Sequence, residues 1–548
     1  MKKLCLLTFA LFTIAAIAQA PPQAALKSIS ADRIREHVKF LSSDLLEGRG
    51  TGQRGGDIAG EYIATQFALY GLKPAGDNGS YLQKVAMVGL KTDPKATSIS
   101  WEAGAQSHPL KLSTDVVAMD ETQKPQNEFS GDVVFVGYGI DAPEYNWNDY
   151  EGVDVKGKVL LMLVNEPPST DDKFFKGKAL TYYGRWTYKY EEAARKGAIG
   201  AVLVHNTEMA SYGWNVVQSS WGGERSYLKE DGKPKLTFAS WVQQPVAQQI
   251  AQAAGQDLAK LMESAKSRGF KAVPLNVKVG GKIATQVRPF DSANVVAMLP
   301  GSDARLKDEL VVYTSHYDHL GIHPEQDGDN IYNGAIDNAS GCGLLLEMAH
   351  TFATAPEKPK RSILFAAVTA EEQGLRGSEY LGLHPPVPTR SISLNLNFDG
   401  VAPIGVPEEI EVTGAERTTF YPTLEKTAKQ FGLGIAPDSN PGAGYFYRSD
   451  HFSMARVGVP AFSVNMGPKV KGHPREWGLE QEKIYTEKNY HQPSDEFDPK
   501  WDFSGPALMT RFGFTLGWDA ANQEQLVQWK PGDEFEEARK KGSAAASK

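Results

Sequence analysis

Cysteine is nearly absent from this chain. Of its 548 residues only Cys5 and Cys342 carry a thiol. Cys5 sits in an apolar N-terminal stretch with the marks of a removable leader, so a disulfide within the mature chain is excluded and stability must come from core size or metal. An excess of positive charge is missing too: 58 Lys and Arg stand against 66 Asp and Glu, a net charge of -8. With no basic block and no Arg interleaved with aromatics, a nucleic-acid partner is excluded. Beyond the N-terminus no apolar run approaches the roughly 20 residues that a membrane span needs. The composition, 41% hydrophobic and 23% charged, is that of a soluble globular protein. The length exceeds what one hydrophobic core supports, which predicts two or more domains.

Met1-Lys2-Lys3 precedes an apolar stretch from Leu4 to Ile17 and two A-x-A sites ending at Ala18 and Ala20. This is the pattern of a secretory signal over residues 1–20. Cleavage after Ala18 is the better placed, because cleavage after Ala20 would leave Pro21 first. The expected location is the periplasm or the medium, with no membrane attachment once the signal is gone.

Four further regions follow. Residues 21–128 are expected to form an N-terminal helical part: Ile34, Val38, Leu41 and Leu45, then Ile58, Tyr62, Ile63, Phe67 and Tyr70, mark two amphipathic helices. The glycines of Glu47-Gly48-Arg49-Gly50-Thr51-Gly52 lie between them, with no preceding strand and no Gly-Lys-Ser/Thr, so turn chemistry explains them better than a phosphate cradle. Residues 129–287 carry short β-rich runs such as Asp132–Ile140, Lys158–Val164 and Gly200–Val204, the texture of a separate β-rich domain. Residues 288–522 alternate strands and helices, which predicts a mainly parallel α/β sheet. Its expected strands are 294–299, 309–314, 362–369, 391–398 and 460–465, and its expected helices 340–352, 422–431 and 506–518. The tail, 523–548, is polar and charged, and Gly542 to Lys548 is expected to be disordered.

The chemistry gathers in the α/β region. Thr369-Ala370-Glu371-Glu372-Gln373-Gly374-Leu375 puts two adjacent carboxylates just after the apolar run Ser362–Val368. Neighbouring side chains on an extended segment point opposite ways, so one carboxylate can hold a metal while the other handles a proton. His316-Tyr317-Asp318, Asp337 and Asp399 also follow strands or open a helix, and His491 comes late, in Tyr490-His491-Gln492-Pro493-Ser494-Asp495. The carboxyl ends of parallel strands form the ligand crevice of open α/β sheets. Taken singly, each of these residues is a solvated His, a helix cap or a turn Asp; as a set around the strand ends of one sheet they predict a site. Two His with three carboxylates suit zinc better than calcium, which takes oxygen alone, or a structural zinc site, which takes Cys. Two ions sharing one carboxylate would use all five ligands.

The pattern His316-x-Asp318, Asp337-Asn338, Glu371-Glu372, Asp399 and His491 resembles the co-catalytic zinc aminopeptidases of metallopeptidase family 28, relatives of glutamate carboxypeptidase II and the glutaminyl cyclases. The surrounding words Gly334–Gly341, Gly374–Ser378 and Ser449-Asp450-His451-Phe452 match as well. The β-rich region resembles the protease-associated (PA) domain through Gly137-Tyr138-Gly139-Ile140, Asp149-Tyr150 and Val153–Lys158. The resemblance implies a mainly parallel mixed sheet flanked by helices with an inserted PA domain, and two Zn²⁺ per chain. His316 and Asp399 would bind one ion, Glu372 and His491 the other, and Asp337 would bridge. Glu371 would be the general base, and Asp318 would orient His316. Tyr490 is a candidate donor to the substrate carbonyl, with packing beside His491 as its plain alternative. The implied partners are peptide substrates. Glutaminyl cyclases use a single zinc and lack the first His, and receptor-like relatives have lost ligands; here His316 and Glu371 are both present. Arg448, after the aromatic run to Tyr447, and Asp450 are the expected pocket residues, Asp450 as structural support of the pocket rather than as a substrate contact. A single Arg fits an aminopeptidase for neutral or apolar N-termini better than an enzyme gripping acidic C-termini.

Overall fold

The computed structural model describes residues 20–544 apart from 211, 230, 325 and 439. The expected signal therefore lies outside the described residues, except for Ala20. Among the described residues no helix is long and apolar enough to cross a membrane.

The α/β unit is a mixed sheet whose central strands are parallel. Ser362–Val368, Leu310–His316, Ile392–Asn397 and Ala461–Met466 lie side by side in that order. Beyond Ala461–Met466 come the antiparallel Glu409–Thr413 and then Gly434–Ala436. Every residue of Leu310–His316 and Ser362–Val368 is buried, as continuous apolar runs covered on both faces must be. Ala31–Leu41, Arg54–Leu69, Gly341–Thr354 and Ser504–Asn522 cover one face, and Arg376–Leu383 and His451–Arg456 the other. Ala31–Leu41 starts where Ser30 Oγ accepts the Arg33 N–H at 3.3 Å, and it buries Ile34, Val38 and Leu41, one stripe at helical spacing. Gly341–Thr354 buries Leu344, Leu345, Leu346, Met348 and Phe352, each contributing roughly 1.5–3 kcal/mol of burial. Gly517 on the last long helix rests against Tyr313, where a Cβ would stand 1.8 Å from the phenol oxygen. A Gly517→Ala exchange would therefore part helix and sheet.

The expected strands and helices of this region are all present, with ends shifted by a few residues. Three boundaries differ from expectation. The helical part ends at Leu69, and β structure begins with Lys73–Pro74, well before 129, and continues through the strands Leu82–Thr92, Ser98–Ala103, Gln106–Leu110 and Val116–Met119. Polar residues interrupt their alternation, and Val88 to Leu90 is buried on both faces, so no period of two stands out. Near 287 there is no break at all: Val273–Leu299 is one strand. Its first half pairs with Ser98–Ala103 and Gln126–Phe135 in the β-rich unit. Its second half pairs with Leu82–Thr92 and Ser362–Val368 in the α/β sheet. The tail is docked as far as it is described. Val527, Trp529 and Phe535 are buried, Arg417 pairs with Asp533 at 2.8 Å and Glu534 at 2.6 Å, and Glu536–Ala544 is helical. Sparse apolar anchors in a charged segment hide such docking from composition.

The β-rich unit has its own sheet, in which Gln126–Phe135, Val159–Leu163, Gly200–His205 and Phe238–Gln243 run parallel. Helix Trp186–Arg195 faces the α/β unit, and Glu191 pairs with Arg456 across the gap at 2.9 Å.

Candidate active site

The carboxyl ends of the parallel strands deliver the cluster. His316 ends its strand, Glu371 and Glu372 follow Val368, and Asp399 follows Asn397 by two residues. His316 Nε2 lies 3.1 Å from Asp337 Oδ1 and 3.2 Å from Asp399 Oδ1. His491 Nε2 lies 3.3 Å from the other oxygen of Asp337 and 3.1 Å from Glu372 Oε2. Asp337 thus sends one oxygen to each side. All five expected ligands meet at one place.

Behind them the chain fixes each group. Asp318 Oδ2 accepts from Thr51 Oγ at 2.9 Å, and its Oδ1 accepts the Glu371 N–H at 3.1 Å. The His316 ring nitrogen Nδ1 stands 3.7 Å from Asp318 Oδ1. Asp399 Oδ2 accepts from Ser449 Oγ at 2.6 Å. Asp495 accepts the N–H groups of Ile336 and Asp337 at 3.0 and 3.1 Å. Asn338 Oδ1 accepts from Gly341 N and Gly400 N at 3.0 and 3.1 Å, tying the bridging loop to the Asp399 loop. Gly341 is required there, since a Cβ would meet Asn338 Oδ1 at 2.3 Å.

Several of these supports escaped the sequence. Arg49, in the glycine-rich turn, is buried and donates to the Tyr317 carbonyl at 2.7 Å and the Gly334 carbonyl at 2.9 Å. Its positive charge underpins both loops of the site. His319 Nδ1 lies 2.7 Å from Glu372 Oε1, which leaves Oε2 for His491 and the centre. The only advance sign of His319 is its place three residues after His316.

The electrostatics point the same way. Asp318, Asp337, Glu371, Glu372, Asp399 and Asp450 crowd around three histidines, so negative charge is in surplus in a buried place, and such a surplus needs cations. Burial opposes a charged His316, but Asp399, Asp318 and Asp337 outweigh it and hold its pKa well above the ordinary value. His491 is raised to about 10 by Asp337 and Glu372, again against burial. Burial would raise Glu372 and so would Asp337, yet His319 and His491 bring it down to about 2. Glu371 goes the other way: burial, then Glu372 and Asp399, push it well above the carboxylate range.

Two groups of ligand atoms, His316 with Asp337 and Asp399, and His319 with Asp337 and Glu372, each lie within 4.8 Å of one another. His491 Nε2 is buried, within ion-pair distance of two carboxylates, yet aligned for a hydrogen bond with neither. That misalignment suits a nitrogen aimed at a point between oxygens. The donor set therefore fits a pair of divalent ions of the zinc type. Cys342 stays apart: its thiol donates to the His316 carbonyl at 3.1 Å, and burial pushes it up to about 11.

The remaining expected residues surround this centre. Tyr490 is 45% exposed, and its ring stacks on His491 at 3.9 Å, so the packing role is filled while the phenol stays accessible. Asp450 is fully buried, both oxygens lack a hydrogen-bond partner among the described residues, and burial raises it to about 7. Arg448 is exposed over the Tyr445 ring. With Glu371, Glu372, Tyr182 and Arg185 it lines a cavity of about 230 Å³ between the two units. Arg185 comes from the β-rich unit. Its Nε is buried without a hydrogen-bond partner among the described residues, and burial, then Arg448, lowers its pKa to about 10.

Such a strand-end cluster of His and carboxylates is a candidate metal centre, and comparison with known proteins shows what this segment is similar to. Residues 294–507 match the model of Peptidase family M28. The chain is 35% identical over 147 residues to a "Probable zinc metalloprotease" of Pyrenophora teres f. teres, covering 26% of this chain and 30% of the relative. It is 29% identical over 246 residues to "Leupeptin-inactivating enzyme 1" of Streptomyces exfoliatus, covering 41% and 50%. Among solved structures, the aminopeptidase from Aneurinibacillus sp. strain AM-1 aligns over 93% of this chain and 98% of its own at 18% identity, with a TM-score of 0.46. The matched segments span about a third to a half of the curated relatives' length.

Proposed function

We propose that the protein is an exported zinc-dependent exopeptidase that removes N-terminal residues from peptides. The observation that carries this reading is the divided carboxylate of Asp337, one oxygen toward His316 and the other toward His491, with Glu371 anchored beside it on Asp318. His316 and Asp399 would hold one ion, Glu372 and His491 the other, and Asp337 both. Zinc bound there supplies a Lewis acid for the scissile carbonyl and makes water acidic near neutral pH.

The chain's own part is orientation and proton transfer. Asp318 fixes the ring of His316, its main-chain carbonyl 3.2 Å from Nδ1 and its carboxylate oxygen 3.7 Å away. Glu371, with its pKa raised by burial, takes a proton from the attacking water and hands it to the leaving amine nitrogen as the C–N bond breaks. The Tyr490 phenol donates to the carbonyl oxygen while its ring braces His491. The β-rich unit, which resembles a PA domain in sequence, narrows the approach to chain ends and short peptides, since Tyr182 and Arg185 line the same cavity as Glu371.

A second reading has one specific support. Arg185 and Arg448 place two guanidiniums, without carboxylate partners among the described residues, in the cavity that Glu371 lines, an arrangement suited to a substrate carboxylate, which favours a C-terminal exopeptidase. The purified chain reconstituted with zinc and given peptides blocked at either end decides. Release from free N-termini alone supports the first reading. Release from N-blocked peptides, lost in Arg185→Gln, supports the second, and no release from either sinks both.

A further inference from the structure

A second cavity, of about 280 Å³, opens beside the cluster. Two of its lining residues adjoin expected ligands: Ile336 precedes Asp337, and Gly400 follows Asp399. That adjacency puts the cavity next to the place where a substrate carbonyl would react. The walls are largely apolar, built by Ile336, Ile404, Met466, Ile484 and Trp501. Apolar walls alone would suit leucine or phenylalanine.

One feature does not fit an aliphatic occupant. Glu411, on strand Glu409–Thr413, lines this cavity. It stands in register opposite Asn465, so the two side chains leave the sheet on the same face. Glu411 has no hydrogen bond or ion pair among the described residues, and Asn465 Oδ1 is buried without a partner. Arg475, the cation nearest in charge effect, is engaged by Glu409. Burial, then Glu482 and Asp438, raise Glu411 to about 7, with Arg475 opposing. A half-buried carboxylate with acidic neighbours and a bare amide oxygen lacks a donor and a positive charge.

We infer that this cavity is the specificity pocket for a long basic side chain, with the stem of an N-terminal Arg or Lys lying along the apolar walls and its cationic head meeting Glu411 and the Asn465 oxygen. The chemistry matches at both ends: such side chains bury their methylenes and keep the charged head on an acceptor, and a charge-assisted bond to a carboxylate is stronger than a neutral one. The inference rests on the aminopeptidase reading and names its substrates as peptides beginning with Arg or Lys.

The test compares kcat/KM for the anilides of arginine, lysine, norleucine and leucine in the zinc-loaded enzyme and in Glu411→Gln. The expected result is a preference for arginine over norleucine, with the ratio falling about 10- to 100-fold in Glu411→Gln, the size of one charge-assisted bond. Equal turnover of arginine and norleucine, or a ratio unmoved by the substitution, overturns the pocket. If no anilide is cleaved, the aminopeptidase reading has failed, and the cavity is then judged by calorimetry. Tighter binding of L-argininamide than of L-norleucinamide, weakened in Glu411→Gln, upholds the cation site, and equal binding removes it. Glu411→Lys guards against a fold defect: a folded variant, read by its melting transition, is expected to reject arginine, and acceptance of arginine counts against the inference.

Discussion

Each unit of this protein buries charged side chains, and the two do so differently. In the β-rich unit Lys189 is buried near Asp149 and Glu166. Burial lowers the lysine to about 7, while burial raises Asp149 to about 6 and Glu166 to about 7, with the lysine opposing in both cases. The acids also serve local structure, Asp149 accepting from Ile140 N and Trp147 Nε1, and Glu166 from Thr181 N. One lysine stands against two acids there, and each acid is spent on backbone or indole donors. In the α/β unit six carboxylates face three histidines, and Asp337, Asp399 and Glu372 converge on the ring nitrogens of His316 and His491. Buried acids that each serve a local donor brace loops, whereas acids aimed at one point mark a place where something positive belongs.

The largest way to sharpen that contrast is Glu371→Gln, which removes a proton carrier without removing a ligand. It should lower kcat by about 10²–10⁴ while metal content, measured by elemental analysis, stays at the wild-type level; loss of metal in the variant would place Glu371 among the ligands. Next comes chelation. If the surplus is offset by bound ions, stripping them should cost about 4 kcal/mol relative to saturation at a thousandfold excess over Kd. Thermal unfolding with and without chelator reads this, and an unchanged transition would break the comparison. Lys189→Met tests the set in the β-rich unit. It replaces a buried ammonium that makes no hydrogen bond or ion pair among the described residues with an apolar side chain of similar length, so stability in denaturant unfolding should hold or rise by about 1–4 kcal/mol, with metal content unaltered.

The smallest effect is a pH dependence from ordinary burial. His37, buried beside the hydroxyls of Tyr62 and Tyr70, is lowered from 6.5 to about 4, chiefly by burial. Between those values the unfolded chain holds a proton that the folded chain does not, so stability falls as pH drops from about 6.5 to about 4 and is fully present above that window. Unfolding curves across this range should flatten in His37→Gln.

Much of this was legible in the sequence because strand ends announce themselves. Runs such as Ser362–Val368 are apolar throughout, and acidic residues placed just after them have nowhere to point but the crevice. The supports were not legible, for a physical reason. Arg49, Thr51 and Asp495 act on backbone groups and side chains far away in the chain, and a residue whose partner is a distant carbonyl or N–H leaves no local pattern. Arg185 sits in an aromatic stretch with no period, so its place beside Glu371 emerges only when the two units meet. The long strand was hidden by its own Gly280, Gly281 and Pro289. These look like breakers, yet a Cβ on Gly281 would stand 2.1 Å from the Ser98 carbonyl, so the glycine is what lets the strands approach. Tyr490 shows the reverse case, a residue whose two readings the fold makes compatible.

The strand Val273–Leu299 bears on how wide the substrate entrance can be. Its pairing with Leu82–Thr92 runs in register from Leu82 opposite Val295 to Thr92 opposite Thr285, so the way into the β-rich unit and the way out of it are laced together as one ribbon. A unit carried on two loose linkers swings, and its doorway admits whatever the swing allows. A unit carried on a twisted ribbon, and pinned at its far side by Arg456 and Glu191, holds its doorway at a set gap. On the exopeptidase reading, a doorway held at a set gap would act as a gauge, sorting peptides by girth before any side chain is read.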